Sequence, residues 1–589
     1  MQTLRLTALA LLLACSPSCS KSEGATHVLL PPPSRDGWLS NEPSPGFNLI
    51  SPLKSKDVFL VDLSGEIVHQ WETDVEPGNS VYLTERGTIY RCERIEDNKP
   101  FRGGGIGGGI QEIDASGNVL WDYRFADETR HAHHDIEIMP NGNILILAWE
   151  MHTREEALAN GRDPELLRGE MFWPDAIFEI KPLANNEAEI VWQWHSWDHL
   201  IQDFDAEGDF FGVVSEHPER IDINGDRDPE LMSEEEQDAE FQRLAELGYA
   251  GGAEDDVKVA ADQEASPGSD QRPPRGDGER PPRGDGQRPP RGPGFGPPPG
   301  GGRPGGPPPD GERPDGPPPG GRPDEPPPGG PADGPPHNGA SQDGNSDRQK
   351  SRDADWMHTN AIDYNAELDQ IVISVRRFDE AWVIDHSTTT AEAASSKGGR
   401  GDRGGDLLYR WGNPSAYGMG NAEDRILVGQ HDVQWIEDGM LGAGSFMAFN
   451  NGSGRLDGDY SSIEEWWPSL TPEGQYVIDS GAAFPPSEST WSYSADEPEN
   501  FFSSFISGVQ RLPNGNTLIC SGEEGKVFEV NTAGQTVWQW ECDLVPPDEV
   551  KEGEEPKGGI QKNALFRVTR IPPDHPGLQA LRPYSVTPQ

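Results

Sequence analysis

The chain has 589 residues with a formal net charge of −53, and only 33% of the residues are hydrophobic. A chain this acidic repels nucleic acid and anionic lipid headgroups, so we expect no nucleic-acid partner. The 70 glycines and 56 prolines are too many for an evenly folded chain, which predicts that part of it is disordered.

The N-terminus has the pattern of a bacterial lipoprotein signal. Residues 1–14 contain a lone arginine and an apolar run, Leu6 to Leu13, that is too short to span a bilayer. The letters "LLAC" resemble a lipobox and predict cleavage before Cys15, with lipid on its sulfur. Ser16, rather than an aspartate, follows the cysteine and favours the outer membrane. Residues 15–36 would then be a tether for an extracytoplasmic, periplasmic protein, and a secreted protein is the alternative.

A hairpin recurs along the chain: a strand, a turn that usually contains glycine, and a second strand that usually ends in aromatic residues. Six copies begin at Asp57, Gly108, Asp175, Glu380, Tyr460 and Gly525. Five of the six follow another hairpin, and the strand-like piece Ala564–Ile571 is left over to complete the first. Two hairpins make a four-stranded blade, and completion of the first blade by the last strand closes a ring. The repeats predict an all-β, six-bladed β-propeller.

Composition divides the rest of the chain. The first part of the propeller is predicted at residues 37–228 and the second, with the closing strand, at 351–573. Residues 229–350 hold an acidic helical segment and a long Pro/Gly/Arg-rich insertion with repeats such as "RPPRGDG". The helix is expected over Asp228–Gly248, and the insertion, which has almost no apolar side chains to bury, is expected to be disordered. Residues 574–589 form a C-terminal tail.

Three consecutive units carry histidine at one register position. His134, His358 and His431 each lie eight residues before the turn position of their first hairpin, where the flanking units have Asn79 and Ser507. The blade itself therefore does not require histidine. Because the first strand of a blade is the innermost, the three imidazoles are expected to converge at the central channel. The next residues, Asp135 and Asp432, point to the other face of their strands and are expected to serve the backbone.

A cationic side chain is expected near these imidazoles. Arg376 ends the second strand of the blade that carries His358, whereas Arg377 is directed to the other face by strand alternation. Three interpretations are open. The histidines could hold strands together by hydrogen bonds. The run "HAHHD" could bind zinc, although no familiar ligand spacing completes it. Clustered imidazole and guanidinium groups could also bind a tetrahedral oxyanion and transfer it.

The mature chain would retain three cysteines, Cys92, Cys520 and Cys542. Their odd number allows at most one disulfide, and their spacing does not match a metal site, so we interpret them as small buried side chains.

Several motifs together resemble those of the bacterial arylsulfate sulfotransferases, a family of six-bladed propellers. They are "HHDIEIMPNGNILIL", "DWMHTNAIDYNAELDQIVISVR", "YRWGNP" and "GQHDVQWIEDG" with "FNNGSGR". The resemblance runs in order from about Phe59 to Val568, without the insertion. It implies an enzyme that uses no phosphoadenosine donor and needs no cofactor or metal. Such an enzyme moves a sulfuryl group from a phenolic sulfate to a phenol, by a ping-pong route through a sulfohistidine.

The resemblance also implies a role for each site residue. His431 in "QHD" matches the nucleophile. His134 in "HHD" and His358 in "WMHTN" match the histidines that hold the sulfate and assist proton transfer. Arg376 in "SVR" matches the charge clamp, and Asn360 a polar contact. The rival predictions are a non-catalytic propeller that binds sulfated or phenolic ligands, and a metal site held by histidines.

The sequence departs from the family in three features. The segment before His431 lacks the cysteine pair that some members carry, and neither the lipid anchor nor the Pro-rich insertion is expected of the family.

Overall fold

The structure is a computed structural model that describes residues 29–35, 37–95, 97, 100–167, 169–226, 242–250, 354–545 and 563–581. These residues belong to one compact unit of the chain. The predicted signal peptide, the predicted lipidation site Cys15 and nearly all of the predicted disordered insertion lie outside the described residues. So does the beginning of the predicted helix, of which residues 242–246 are described and are helical.

The described strands form six four-stranded antiparallel blades, which confirms the all-β, six-bladed propeller. Blade 1 consists of β1 (Phe47–Pro52), β2 (Val58–Val61), β3 (Ile67–Trp71) and the final strand β28 (Leu565–Ile571). Blade 2 consists of β4 (Pro77–Leu83), β5 (Ile89–Arg94), β6 (Gly108–Ile113) and β7 (Val119–Arg124). Blade 3 consists of β8 (Arg130–Ile138), β9 (Ile144–Glu150), β12 (Asp175–Leu183) and β13 (Glu187–His195).

The second half of the ring follows the same plan. Blade 4 consists of β16 (Thr359–Asn365), β17 (Gln370–Val375), β18 (Glu380–Asp385) and β19 (Tyr409–Trp411). Blade 5 consists of β20 (His431–Trp435), β21 (Phe446–Asn450), β22 (Ser462–Trp466) and β23 (Trp491–Tyr493). Blade 6 consists of β24 (Gly508–Arg511), β25 (Thr517–Ser521), β26 (Lys526–Val530) and β27 (Thr536–Glu541).

Short elements connect the blades. Two small sheets pair β10 (His152–Thr153) with β11 (Met171–Phe172), and β14 (Leu200–Ile201) with β15 (Ile221–Asp222). The α-helices with defined bounds are Arg154–Ala159, Thr390–Ala393 and Pro576–Leu581. Within the described ranges, no helix has both the length and the apolar character needed to cross a bilayer.

The ring closes as the leftover strand predicts. β28 pairs antiparallel with β1, so that Asn48 lies opposite Arg570, and it occupies the inner edge of blade 1. The inner edges of the other blades are β4, β8, β16, β20 and β24, and each inner strand contacts the inner strands of its neighbours. The first residue positions of these strands therefore surround the channel.

The recurrent hairpin has a local cause in its turn. In the turn between β6 and β7, one carboxylate oxygen of Asp114 accepts from the backbone N–H groups of Ser116 and Asn118, at 2.8 and 2.9 Å. Gly117 follows with φ of 83°, a left-handed conformation that glycine adopts without strain. Asn531 and Gly534 repeat the arrangement between β26 and β27. The side-chain cap and the glycine fix where each strand ends.

One hairpin differs from its prediction. The hairpin that begins at Tyr460 is expected from its sequence to end by Gly481, but the strand that pairs with β22 is β23, at Trp491–Tyr493. The segment between them turns away, and the ring of Tyr476 stacks on Tyr409 of blade 4 with centroids 4.8 Å apart. Tyr493 instead packs against Phe528 of blade 6. Tyr476 thus packs at the interface of blade 5 with blade 4, and Tyr493 of β23 packs at its interface with blade 6. The outer strand of blade 5 therefore forms later in the chain than the repeat predicts.

The core lies between neighbouring blades, where large aromatic side chains fill the wedge between two twisted sheets. Each indole removes roughly 150–250 Å² of surface from water. The fully buried tryptophans on blade strands are Trp71, Trp149, Trp194, Trp382 and Trp466. Cys92, Cys520 and Cys542 are also buried, and all three have free thiols, in line with their interpretation as small core residues.

Candidate active site

The three histidines predicted at one register lie on the inner strands of three successive blades. His134 lies in β8, His358 directly precedes β16, and His431 is the first residue of β20. All three are at most 8% exposed. The rings of His134 and His358 meet edge to face with centroids 4.6 Å apart. His431 is close enough to affect the other two electrostatically: its charge lowers the pKa of His134, and the charge of His358 lowers the pKa of His431.

A shift in strand pairing occurs in each inner strand at the position of these histidines. The pairing register of β8, β16 and β20 shifts at or directly after the histidine, which is the signature of a β-bulge. His134 and His358 have left-handed φ angles of 54° and 51°. In β20 the left-handed residue is Asp432, with φ of 59°, so His431 leaves the backbone in a different direction from the other two.

One ring nitrogen of His431 is held by a hydrogen bond, and the other has no hydrogen-bond partner among the described residues. Nδ1 lies 2.7 Å from Oδ1 of Asn451. The amide nitrogen of Asn451 donates to the carbonyl oxygens of Ser503 and Ile506, at 2.8 and 2.9 Å, so Oδ1 is the acceptor. Nδ1 must therefore carry the proton, and Nε2 has the lone pair. Nε2 is buried without a hydrogen-bond partner among the described residues.

His358 belongs to a carboxylate–imidazole pair. Its Nδ1 contacts Oδ2 of Asp355, whose other oxygen accepts from the indole N–H of Trp149 at 3.1 Å. Burial alone would raise the pKa of Asp355, but the charge and hydrogen bond of His358 hold it well below its usual value. Burial lowers the pKa of His358, and Asp355 opposes this effect. Asp355 thus orients this ring and stabilises its protonated form.

His134 contacts other rings rather than a carboxylate. Its Nδ1 lies 2.8 Å from Nδ1 of His133, which stacks on Trp149 and approaches Oδ1 of Asp175 to 3.2 Å with Nε2. Nε2 of His134 lies 2.8 Å from the hydroxyl of Tyr249. Burial, followed by the neighbouring His358, lowers the pKa of His134 well below its usual value. His134 is therefore a neutral imidazole at neutral pH.

Arg376 supplies the fixed charge expected near the cluster. It follows β17 at the start of a 3-10 turn, Arg376–Phe378, and it is only partly exposed. After burial, the charge of Arg376 is the next largest cause of the lowered pKa of His431, and it also lowers the pKa values of His134 and His358. Its neighbour Arg377 acts on His358 and Asp355. Positive charge therefore meets the neutral imidazoles of His134 and His431, an arrangement that favours an anion.

Asn360 connects two of the histidine strands. Its amide nitrogen donates to the backbone carbonyl of Gln430 at 2.8 Å, directly before His431. Its Oδ1 is buried and has no hydrogen-bond partner among the described residues. Asn360 thus positions the start of β20 relative to β16.

The two aspartates that follow His134 and His431, Asp135 and Asp432, serve the backbone, as strand alternation predicts. Each accepts from a backbone N–H of the next inner strand, at 3.3 and 2.7 Å. Asp363, farther along β16, makes the same contact with the N–H of Trp435 at 2.7 Å. Arg567 of β28 crosses the channel between two of them: its Nη1 donates to Asp135 at 2.9 Å, and its Nε lies 2.9 Å from Asp432. These carboxylates tie successive blades together below the cluster of imidazoles.

The run "HAHHD" does not gather its imidazoles around one point. Nε2 of His131 lies 3.1 Å from the carbonyl oxygen of Gly107, whereas His133 and His134 contact Asp175 and Tyr249. In the part of the chain that the structure describes, no group of three or more His, Cys, Asp or Glu side chains is arranged to hold a metal ion.

Four residues of the site were not predicted from the sequence. Asp355 stands three residues before His358, close enough to suggest a pair, and Asn451 lies in the motif "FNNGSGR" without an assigned role. Arg567 comes from the closing strand, and Tyr249 comes from a segment outside the repeats. Nothing in the local pattern of either residue marks it as part of the site.

Comparisons with known proteins agree with the motifs. A family model described as Arylsulfotransferase (ASST) matches residues 41–555, most of the chain. A search of curated proteins finds no match. Among solved structures, a protein of unknown function from Bacteroides caccae is similar at 11% identity, with 89% of this chain and 98% of that chain covered and a TM-score of 0.36.

Proposed function

The chain belongs to the arylsulfotransferase family, and from this premise we propose that it moves a sulfuryl group from a phenolic sulfate ester to a phenolic acceptor. The transfer proceeds in two half-reactions through a sulfohistidine at His431. The observation that carries this proposal is the state of that ring. Asn451 fixes its proton on Nδ1, and Nε2 has a lone pair and no hydrogen-bond partner among the described residues.

In the first half-reaction, Nε2 of His431 forms the bond to sulfur while the ester S–O bond breaks. Charge develops on the leaving phenolic oxygen and remains on the sulfuryl oxygens. Arg376 lies where it can compensate the sulfuryl charge, since it acts on all three imidazoles. Because the pKa of His431 is lowered by burial and by Arg376, the ring is neutral and nucleophilic at neutral pH.

The leaving phenolate requires a proton, and His358 is the better carrier of the two candidates. Asp355 stabilises its imidazolium form, whereas the pKa of His134 is lowered by burial, by His358 and by Arg376. Removal of such a general acid typically lowers the rate by ~10²–10⁴-fold. In the second half-reaction the acceptor phenol gives a proton to the same imidazoles and attacks sulfur, and His431 leaves as a neutral ring.

The test is a transfer assay with p-nitrophenyl sulfate, with and without added phenols. We expect nitrophenolate release that depends on the acceptor, and a sulfuryl group on the peptide that contains His431 when the acceptor is omitted. His431→Ala should lose both signals. Equal release by the parent and by His431→Ala across a panel of phenols would instead support a non-catalytic propeller. Stoichiometric zinc in the purified protein would support the metal site.

We also propose that the enzyme works outside the cytoplasm on a lipid anchor at Cys15, because residues 12–15 resemble a lipobox. Radiolabelled palmitate should enter the parent chain and not Cys15→Ser. Equal labelling of both chains, or labelling of neither, would contradict the anchor.

A further inference from the structure

A tyrosine from outside the blade repeats reaches the histidine cluster. Residues 242–246 are helical, and the chain then runs through Leu247 to Tyr249. Tyr249 is 2% exposed and packs in an apolar cluster with Phe505 and Phe566. The ring of Phe505 lies 5.4 Å from that of Tyr249, centroid to centroid. The aromatic contacts hold the phenol ring in one orientation.

The hydroxyl of Tyr249 lies between two of the proposed catalytic imidazoles. Its oxygen is 2.8 Å from Nε2 of His134 and 3.2 Å from Nε2 of His358. These are the nitrogens that we expect to exchange a proton with the phenolic oxygen of a substrate. Tyr249 is itself a phenol, so its side chain has the functional group of the substrate and contacts the nitrogens expected to serve the substrate.

The surrounding backbone is shaped around this side chain. Gly104 pairs with Ala250 in an antiparallel bridge, and the N–H of Gly105 donates to the carbonyl of Tyr249 at 2.9 Å. A Cβ atom on Gly104 would lie 2.5 Å from the Tyr249 ring, and one on Gly105 would lie 2.0 Å from His134. The two glycines leave space that the phenol and the imidazole fill.

We infer that Tyr249 is an internal phenolic acceptor: in the absence of an external phenol, the sulfuryl group on His431 passes to its hydroxyl and forms tyrosine O-sulfate. This inference rests on the proposed function. The bond from sulfur to Nε2 of His431 breaks as the bond from sulfur to Oη of Tyr249 forms. The phenolic proton moves to Nε2 of His134 or His358, and no oxidant or further reactant is needed.

The protonation states fit this step. Burial raises the pKa of Tyr249 above its usual value despite the nearby Arg376, so the hydroxyl keeps its proton until a base removes it. Burial lowers the pKa of His134, and His358 has already given its proton to the donor phenolate, so both rings are neutral bases at this stage. The product is an aryl sulfate, the same class as the donor, so His431 can take the sulfuryl group back and pass it to an external phenol.

The burial of the cluster sets the order of events. His134 and His431 are fully buried, so a phenolic sulfate reaches Nε2 of His431 only when the side chains that cover the cluster move aside. Tyr249 lies in the cluster before any external phenol enters it. An external acceptor therefore competes with Tyr249 for the same sulfohistidine.

The full-length protein is incubated with p-nitrophenyl sulfate without an acceptor, digested, and mapped by mass spectrometry in negative-ion mode. We expect one sulfuryl group on the peptide that contains Tyr249 and its removal by a chase with phenol. Tyr364 and Tyr493 serve as internal controls, since both are more accessible than Tyr249 and lie away from the cluster. Their peptides should stay unmodified.

Tyr249→Phe keeps the ring contacts and removes the acceptor oxygen. The initial burst of nitrophenolate without acceptor should be one equivalent per chain larger in the parent than in Tyr249→Phe. If the parent transfers sulfate to added phenol while its Tyr249 stays unmodified and the two bursts are equal, the inference is overturned and the proposed function stands. If no phenol draws nitrophenolate from the parent, the proposed function fails and the inference with it.

Discussion

The inner strands of blades 3 and 4 share a backbone feature with those of blades 2 and 6 and differ from them in the side chain. His134 and His358 have positive φ angles of 54° and 51°, and Asn79 and Ser507 have positive φ angles of 93° and 91° at the equivalent position. A positive φ at this position is therefore common to the four blades and does not depend on histidine, whereas the imidazole distinguishes blades 3 and 4. A search for positive φ alone would mark all four blades.

Blade 5 departs from both groups. Its left-handed residue is Asp432, one position after His431. Of the three histidines at one register, the one that matches the nucleophile is thus also the one whose backbone differs. The shift lets Asn451, at the end of β21, reach Nδ1 of His431 and leaves Nε2 for chemistry.

The largest expected effect is on the transfer rate, and it distinguishes a histidine at this register from the asparagine or serine found there in other blades. His431→Ala should lower sulfuryl transfer by on the order of 10⁴-fold or more, because it removes the nucleophile. Asn79→Ser places the residue of blade 6 into blade 2 at the same backbone position, and it should change the rate less than about threefold. Steady-state rates with p-nitrophenyl sulfate and a phenol measure both. Similar losses in the two variants would mean that the loss at His431 does not depend on its imidazole, and would contradict its role as nucleophile.

A smaller effect is expected on the pH dependence of the reaction, and it tests the hydrogen bond that Asn451 makes to His431 in blade 5. Asn451→Asp keeps an acceptor oxygen at Nδ1 but adds a negative charge, which should raise the pKa of His431 from its lowered value. Protonation would then remove the nucleophile at higher pH than in the parent. We expect kcat/KM to fall by up to about tenfold per pH unit below the new pKa, while the rate near neutrality changes less. An acid limb at the same pH in both proteins would contradict the role of Asn451.

His431 and Asp432 are adjacent in β20, and we expect the first to act in the reaction and the second to stabilise the fold. Asp432→Asn tests the role in stability. Asp432 accepts from the N–H of Val509 at 2.7 Å and lies 2.9 Å from Arg567. Loss of its charge leaves a buried guanidinium partly unpaired, which should lower the free energy of unfolding by about 3 kcal/mol. Urea denaturation measures this. A loss of activity comparable to that of His431→Ala, with unchanged stability, would assign Asp432 to the reaction instead.

The sequence is sufficient to predict the ring and one side of the site. Local sequence patterns reveal the hairpin repeats, the leftover strand and the histidine register. Each of these patterns corresponds to a strand or turn of the folded propeller. Arg567 could not be found in this way, because it meets the site only through the closing strand β28. Asn451 follows the strand paired with β20, but nothing in its local pattern marks its contact with Nδ1 of His431. Tyr249 lies outside the repeats altogether, so its contact with His134 follows only from the folded chain.

The smallest expected effect concerns stability in acid, where the buried histidines distinguish the active side once more. Burial lowers the pKa of His431 well below 6.5, whereas the unfolded chain binds this proton near pH 6.5. As the pH falls below 6.5 the unfolded state takes up a proton that the folded state cannot, so stability is lost in this range. His431→Asn removes one such group and should flatten the slope of unfolding free energy against pH by up to about 1.4 kcal/mol per unit. Asn79→Ser should keep the parental slope. Identical slopes in His431→Asn and the parent, from urea titrations at several pH values, would show that His431 protonates as readily in the folded chain as in the unfolded one, and its neutral state could then no longer explain its nucleophilicity.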